Sequence, residues 1–317
     1  MPVVMGYGLL FVLGLALLER GADLFTDQVG ELAERTGVSE TVIGLLTAGI
    51  EWEETLVVVL AALRGSVGIA VGDVIGSNIA NLSGSFAVGL LARPVNITKD
   101  DRRYSWLMLA VTVLVSALLW WQGGVSRATG GMLVTLFAIY LASLLISLRL
   151  GVLQVRLEQD EEGGREKKQS IALLFLLALG GLALIILGAE AVIRSAVYFA
   201  AWLHVSEFVI GLTLVAVGTT LPDNVIAIAG ALKGRSGIVT ANAIGSNICN
   251  LLLPLGIAAL VRPLSVDTAT LAFDLPVLVG LTALVTLFFN RPRLGRGTGA
   301  LLLSLYVLYL LYNFVLK

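Results

Sequence analysis

The chain has 317 residues, 57% hydrophobic and 14% charged, with a mean hydropathy of +0.94 and a formal net charge of -1. A soluble domain averages about 25% charged residues, so this chain has too few polar side chains to wet a soluble surface. The near-neutral balance, with no basic aromatic patch, argues against a nucleic-acid partner, and single copies of cysteine (Cys249) and histidine (His204) leave no internal disulfide, thiolate cluster or histidine metal site.

Apolar runs of about 20 residues, enough to cross a hydrocarbon core of about 30 Å, recur along the chain. They are continuous rather than alternating, unlike the strands of a transmembrane barrel. In the first half they predict helices over 5–29, 40–63, 68–91, 104–122 and 128–149. The N-terminus has no basic leader or cleavage signal, so its apolar run reads as the first membrane helix. Gln154 to Gln169 then gathers Glu158, Asp160, Glu161, Glu162, Arg165, Lys167 and Lys168, an aqueous linker. Helices over 170–197, 207–231, 237–261, 271–289 and 298–315 follow, with His204 at a helix end near the interface. The expected fold class is all-α: a polytopic membrane protein of ten transmembrane helices. Residues 1–150 form one membrane repeat, 151–169 a cytoplasmic linker and 170–317 the second repeat.

The repeat is written into the residues. Gly72-Asp-Val-Ile-Gly-Ser-Asn-Ile-Ala-Asn81 returns as Ala241-Asn-Ala-Ile-Gly-Ser-Asn-Ile-Cys-Asn250, 169 positions later, and Glu54 and Asp223 are also 169 apart. Gly21-Ala-Asp23 and Gly188-Ala-Glu190, like Val42-Ile-Gly44 and Val209-Ile-Gly211, are 167 apart, so a two-residue length change falls between Gly44 and Glu54. Five spans per half make the second half enter from the opposite side, an inverted repeat. With the N-terminus outside, fifteen Lys and Arg residues fall in inner loops and four outside, which orients both termini outward.

Carboxylates inside hydrocarbon must bind cations, pair or take up protons. In Gly218-Thr-Thr-Leu-Pro-Asp223, Pro222 withdraws a backbone donor from the carbonyl of Gly218. Thr219, Thr220 and Asp223 add hard oxygens suited to Ca²⁺ or Na⁺ rather than to a soft metal. The plain alternative is a proline kink with a capping Asp. The counterpart, Gly49-Ile-Glu-Trp-Glu-Glu54, places Glu51 and Glu54 on one helix face and turns Glu53 elsewhere, toward an aqueous mouth in one reading. Gly76 and Gly245 allow a bend or a tight crossing, and Asn78, Asn81, Asn247 and Asn250 recur three apart, able to face the centre together. Asp73, whose counterpart is Asn242, is an extra ligand, a proton carrier or a solvated residue on the cavity wall. Asp23 and Glu190 either line the path or pair with Arg20 and Arg194, and pairing is favoured.

These residues resemble the sodium/calcium exchanger, or cation/Ca²⁺ antiporter, superfamily. Its repeats show a Gly-Thr-Ser-Leu-Pro-Glu run followed by Gly-Asn-Val-Ile-Gly-Ser-Asn-Ile-Phe-Asn. Gly218–Asp223, Ala241–Asn250 and Gly72–Asn81 match these, while Ile50-Glu-Trp-Glu53, Asp223 and Asp73 depart from them. The resemblance implies a central site where the second and seventh helices meet the third and eighth. Its ligand positions fall on Glu54, Ser77, Asn81, Thr219, Thr220, Asp223, Ser246 and Asn250; Glu51 and Asp73 join them from the residues' own chemistry. It also implies exchange of Ca²⁺ against Na⁺ or H⁺, by sliding the first and sixth helices over a fixed core.

The expected function is therefore secondary active cation antiport by alternating access, not enzymatic catalysis. A proton-coupled exchanger of Mg²⁺ or Mn²⁺ and an acidic-lined cation channel are the alternatives. No cofactor is expected beyond the transported ions. The expected partners are those cations and the lipid bilayer, with the protein working as a monomer in the cell membrane.

Overall fold

The computed structural model describes residues 2–35, 51–149 and 170–316. The start of the span expected at 40–63, including Val42–Gly44 and Gly49, lies outside the described residues, as do Lys317 and the linker over 151–169. The first half contains α1 (Pro2–Arg35), α2 (Trp52–Arg64), α3 (Val67–Ala92), α4 (Lys99–Gln122) and α5 (Arg127–Arg149). The second contains α6 (Ile171–Leu203), α7 (Glu207–Thr219), α8 (Leu221–Leu232), α9 (Ser236–Val261), α10 (Thr270–Phe288) and α11 (Arg296–Leu316). Among the described residues, eight helices are long and apolar enough to cross a membrane, and α7 and α8 form one bent span.

The boundaries differ from expectation where charge misled. α1 runs through Glu31 to Arg35 and α6 has 33 residues. At 1.5 Å per residue each is roughly 50 Å long, more than the hydrocarbon core, so both tilt or project beyond it. α4 begins at Lys99, five residues early, because Thr98 and Asp101 form a reciprocal capping box ahead of the apolar stretch. The span at 207–231 is broken at Thr220 by 43°, with Pro222 in the first turn of α8, where its missing N–H costs nothing.

α3 and α9 form the centre. Buried positions make up 89% and 78% of their apolar windows, against 39% or less in the other long helices. α3 reaches the middle by shedding side chains on one face. Gly68, Gly72 and Gly76 lie four apart, and a Cβ at Gly72 would overlap the carbonyl oxygen of Phe208 on α7, one at Gly76 that of Leu212. The tight crossing expected at Gly76 is present. Gly245 has no atom within 4 Å of a Cβ placed there; the segment that answers to Leu212 and Ala216 by the repeat lies outside the described residues.

Around this centre the two halves answer each other across antiparallel contacts. α1 lies along α6, with Gly14 against Gly188 and Gly21 against Gly181. Four two-residue strands, unforeseen in the sequence, link loops of opposite halves. β1 (Val95–Asn96) pairs with β4 (Arg293–Leu294), and β2 (Gly124–Val125) with β3 (Leu264–Ser265). Adding 169 to β1 gives β3 and adding it to β2 gives β4, so one pairing is the image of the other. The same shift relates Gly65 (φ 87) beneath the Arg262 guanidinium to Gly234 (φ 75) beneath that of Arg93. The fold is an all-α membrane bundle built as an inverted repeat.

Candidate metal centre

Two helix starts meet in the interior. α2 opens just after Glu51, which has non-helical backbone angles and makes no side-chain cap, and Glu54 sits in its first turn, 2% exposed. α8 opens after Thr220 and carries Asp223 in its first turn, 6% exposed. Helix N-termini carry partial positive charge, which favours carboxylates at these positions. One carboxylate oxygen each from Glu51, Glu54 and Asp223 lies within 4.8 Å of the others, so acids from both repeats share one pocket. Three carboxylates at that range in a water-poor interior repel strongly and call for a cation between them.

The surrounding residues add oxygen and amide groups. Thr219 Oγ1 donates to helix carbonyls of α7 (Val215, 3.2 Å; Ala216, 3.3 Å) and lies 3.4 Å from Asp73 Oδ1 and 3.5 Å from Ser77 Oγ. Thr220 Oγ1 donates to the Ala216 carbonyl at 2.8 Å. The Thr220 hydroxyl thus spends its proton on the end of α7 and keeps its lone pairs, while the Thr219 proton is shared among the α7 carbonyls and the Asp73 carboxylate. Ser85 Oγ donates to Asn81 Oδ1 at 3.5 Å, at the π turn 81–85 of α3, while Asn81 Nδ2 and both polar atoms of Asn250 have no partner. Ser246 is buried on α9.

The two repeats also differ at Asp73 and Asn242. Asn242 Nδ2 donates to Asp223 Oδ1 at 2.8 Å. Its counterpart Asp73 is 0% exposed, has an oxygen without a hydrogen-bond partner, and interacts electrostatically with Glu54. The option of a solvated wall residue for Asp73 is therefore overturned, because the α3–α7 crossing seals it. Glu53 diverges from Glu51 and Glu54 as expected. It lines a cavity of about 300 Å³ with Glu19, Leu15, Gly218, Thr219 and Pro222, between α1 and the α7–α8 break. Glu190 pairs with Arg194 (2.5 Å) and also with Arg64 (2.7 Å), so the pairing reading holds for it. His204 caps the end of α6 in a left-handed conformation.

Other buried polar groups near the pocket stand outside the expected ligand set, Asn78 and Asn247 having been expected only to face the centre. Among the described residues, thirteen buried side-chain N or O atoms lack a partner, and nine belong to α2, α3 and α9 or to Glu51 just ahead of α2. They include Thr55 Oγ1, Asn78 Oδ1 and Asn247 Oδ1. Each of these asparagines donates its amide to the carbonyl four residues back, Val74 or Ala243, at 2.7 Å, which leaves the oxygen available. The Cys249 thiol lies at the backbone of Glu51 and within electrostatic reach of Asp223. In the sequence, Asn78 and Asn247 were signalled by their duplication, whereas Cys249 had no signal beyond its place between them and Asn250.

Known proteins with this architecture share most of the chain. It is 32% identical to the inner membrane protein YrbG of Escherichia coli over 95% of its length and 94% of that protein's. It is 29% identical to the sodium/calcium exchanger MaX1 of Methanosarcina acetivorans, covering 96% and 98%. A solved structure of the sodium-calcium exchanger NCX_Mj, soaked with Na⁺ and Sr²⁺, superposes with a TM-score of 0.63 at 29% identity, covering 97% of this chain and 98% of that one. Residues 7–146 and 173–315, which take in both acid-bearing helix starts, match the family described as sodium/calcium exchanger protein, and the chain belongs to that family.

Proposed function

We propose that this protein is a secondary active antiporter that exchanges Ca²⁺ against Na⁺ by alternating access. The observation that carries the reading is the meeting of Glu51, Glu54 and Asp223 oxygens within 4.8 Å in the protein interior. Hard oxygens suit Ca²⁺, and Na⁺ competes for the same charge. The ligand set proposed is Glu51, Glu54 and Asp223, supplemented by Asp73, Ser77, Asn81, Thr219, Thr220, Ser246 and Asn250. Moving an empty, triply charged pocket across the barrier costs far more than moving a loaded one, and that difference couples the two fluxes. α1 and α6, in contact through glycines, are the pair that slides to open one face at a time.

Two of the relatives, MaX1 and NCX_Mj, carry sodium and calcium in their names, which supports Na⁺ as the driving ion. A second reading, with protons driving, is favoured by Asp73: a fourth acid, itself fully buried, stands where the other repeat has Asn242. The repeats are taken as 1–150 and 170–317 about a cytoplasmic linker, with both termini outside and the monomer as the working unit. Counterflow in liposomes, varying Na⁺ and pH separately across Ca²⁺, Mg²⁺ and Mn²⁺, tests the reading. Na⁺-dependent ⁴⁵Ca uptake is expected, and it should vanish in Glu54→Gln and in Asp223→Asn while both variants remain folded. Full uptake in both variants would refute the ligand assignment; uptake driven by pH alone would replace Na⁺ with H⁺; ohmic single-channel current would favour a channel.

A further inference from the structure

Glu190 on α6 is held by two guanidinium groups: Arg194, one turn further along the same helix, at 2.5 Å, and Arg64, the last residue of α2, at 2.7 Å. Arg194 travels with Glu190, so only the pair with Arg64 ties α6 to another helix. The repeat gives each partner a counterpart. Glu190 answers to Asp23 on α1, 167 positions earlier, and Arg64 answers to Lys233, 169 positions later and just past the end of α8. The local structure supports the second match, since Arg64 and Lys233 each precede a left-handed glycine covered by an arginine of the opposite half. Yet Asp23 and Lys233 are both exposed, and neither makes an ion pair among the described residues. The position of Arg194 falls on Asp27 in the first half, so a second carboxylate, within electrostatic reach of Asp23, replaces the cation there. The packing differs in the same sense. α6 packs against α2, whereas α1 and the α7–α8 break leave the cavity of about 300 Å³ between them.

We propose that Arg64–Glu190 and Asp23–Lys233 are alternating latches: the first holds the conformation described here, and the second closes when the molecule faces the other way. This rests on the sliding of α1 and α6 set out under the proposed function. Two halves of one fold, inserted in opposite directions, can trade conformations, and the trade turns the closed side into the open one. In the traded state α1 stands to α8 as α6 now stands to α2. Asp23 then meets Lys233, and Glu190 parts from Arg64. Both pairs lie at the solvent edge, where an ion pair shifts an equilibrium by a few-fold only. Weak latches suit a molecule that must pass between two states, because a strong one would trap it. Glu190 keeps Arg194 as a partner when Arg64 leaves, which lowers the cost of release.

The test is disulfide trapping in the purified full-length protein, which needs no transported ion. Asp23→Cys with Lys233→Cys is oxidised with copper phenanthroline, and the bond is read as lost labelling by a maleimide-polyethylene glycol. A disulfide requires Cα atoms within about 7 Å, so it records visits to the traded state. The bond should form slowly, and adding Arg64→Gln, which opens the present latch, should speed it by about threefold. Arg20→Gln, which removes an exposed cation of α1 that makes no ion pair among the described residues, should leave the rate unchanged. No disulfide in any background, or one rate with and without Arg64→Gln, overturns the proposal. Transport supplies a second measurement: Lys233→Glu should slow exchange by about threefold, and Asp23→Lys with Lys233→Glu, which swaps the charges, should restore it. Equal rates in those two variants also overturn the latches. Trapping that behaves as expected in a protein without ⁴⁵Ca counterflow would sink the exchange reading and leave the latches standing.

Discussion

Asp73 is the residue that most distinguishes the two halves of the pocket. In the second repeat an amide, Asn242, donates to Asp223 at 2.8 Å; in the first, a sealed carboxylate lies 3.4 Å from the Thr219 hydroxyl and within electrostatic reach of Glu54. Asp73→Asn restores the symmetry and removes one negative charge from the pocket. Apparent affinity for the transported divalent ion should then weaken by about tenfold, or about 1.4 kcal/mol, read from the Ca²⁺ dependence of ⁴⁵Ca uptake. An unchanged half-saturation value removes Asp73 from the ligand set. The pairing of Glu54 with Asp223 was legible because duplication marks both positions; Glu51 was legible from its place three positions before Glu54, although it sits just ahead of the helix with non-helical angles rather than on a shared helix face. The contact between Asp73 and Thr219 was not legible, since it depends on how α3 crosses α7.

That crossing is the tightest approach between helices that a glycine marks among the described residues. A side chain at Gly72 would meet the backbone of α7, and a backbone cannot turn aside as a rotamer can. Gly72→Val should therefore destabilise by at least about 3 kcal/mol, the upper part of the range for overpacking. Gly180→Ala, on the exposed side of α6 with open space around it, is the control; it should be neutral or slightly stabilising because alanine favours helix. Comparison of Tm and of monodisperse yield checks both. Equal stability of the two variants would contradict the close approach. Helix existence was readable from apolar run length, but the ends were not. Glu31 and Arg35 were read as loop, though polar residues extend a helix readily once it leaves the hydrocarbon. The break at Thr220 was half-legible, since Pro222 announced a disturbance but not the bend of 43°.

At the level of the whole molecule, the duplication predicted the architecture well because the matched segments stay recognisable on both sides of the two-residue change from an offset of 167 to one of 169. The strand pairings obey the same offset of 169, yet two-residue strands carry no periodicity to detect. Sidedness rests on the excess of basic residues in one set of loops. Cys249 is buried, which leaves the native protein nearly unreactive toward a membrane-impermeant maleimide. Arg127→Cys should react in intact cells, and Arg296→Cys only after permeabilisation. The reverse pattern would invert the molecule. The two strand seams have one more consequence. Each fastens a loop of one half to a loop of the other, and neither includes α1 or α6. Under the proposed sliding of α1 and α6, these seams would hold the rest of the bundle as a riveted frame and leave travel to the glycine-faced pair. Cysteines at Asn96 and Arg293, oxidised to a disulfide, should leave exchange running. Cysteines at Leu15 and Gly218, which touch across α1 and α7, should stall it until a reductant is added.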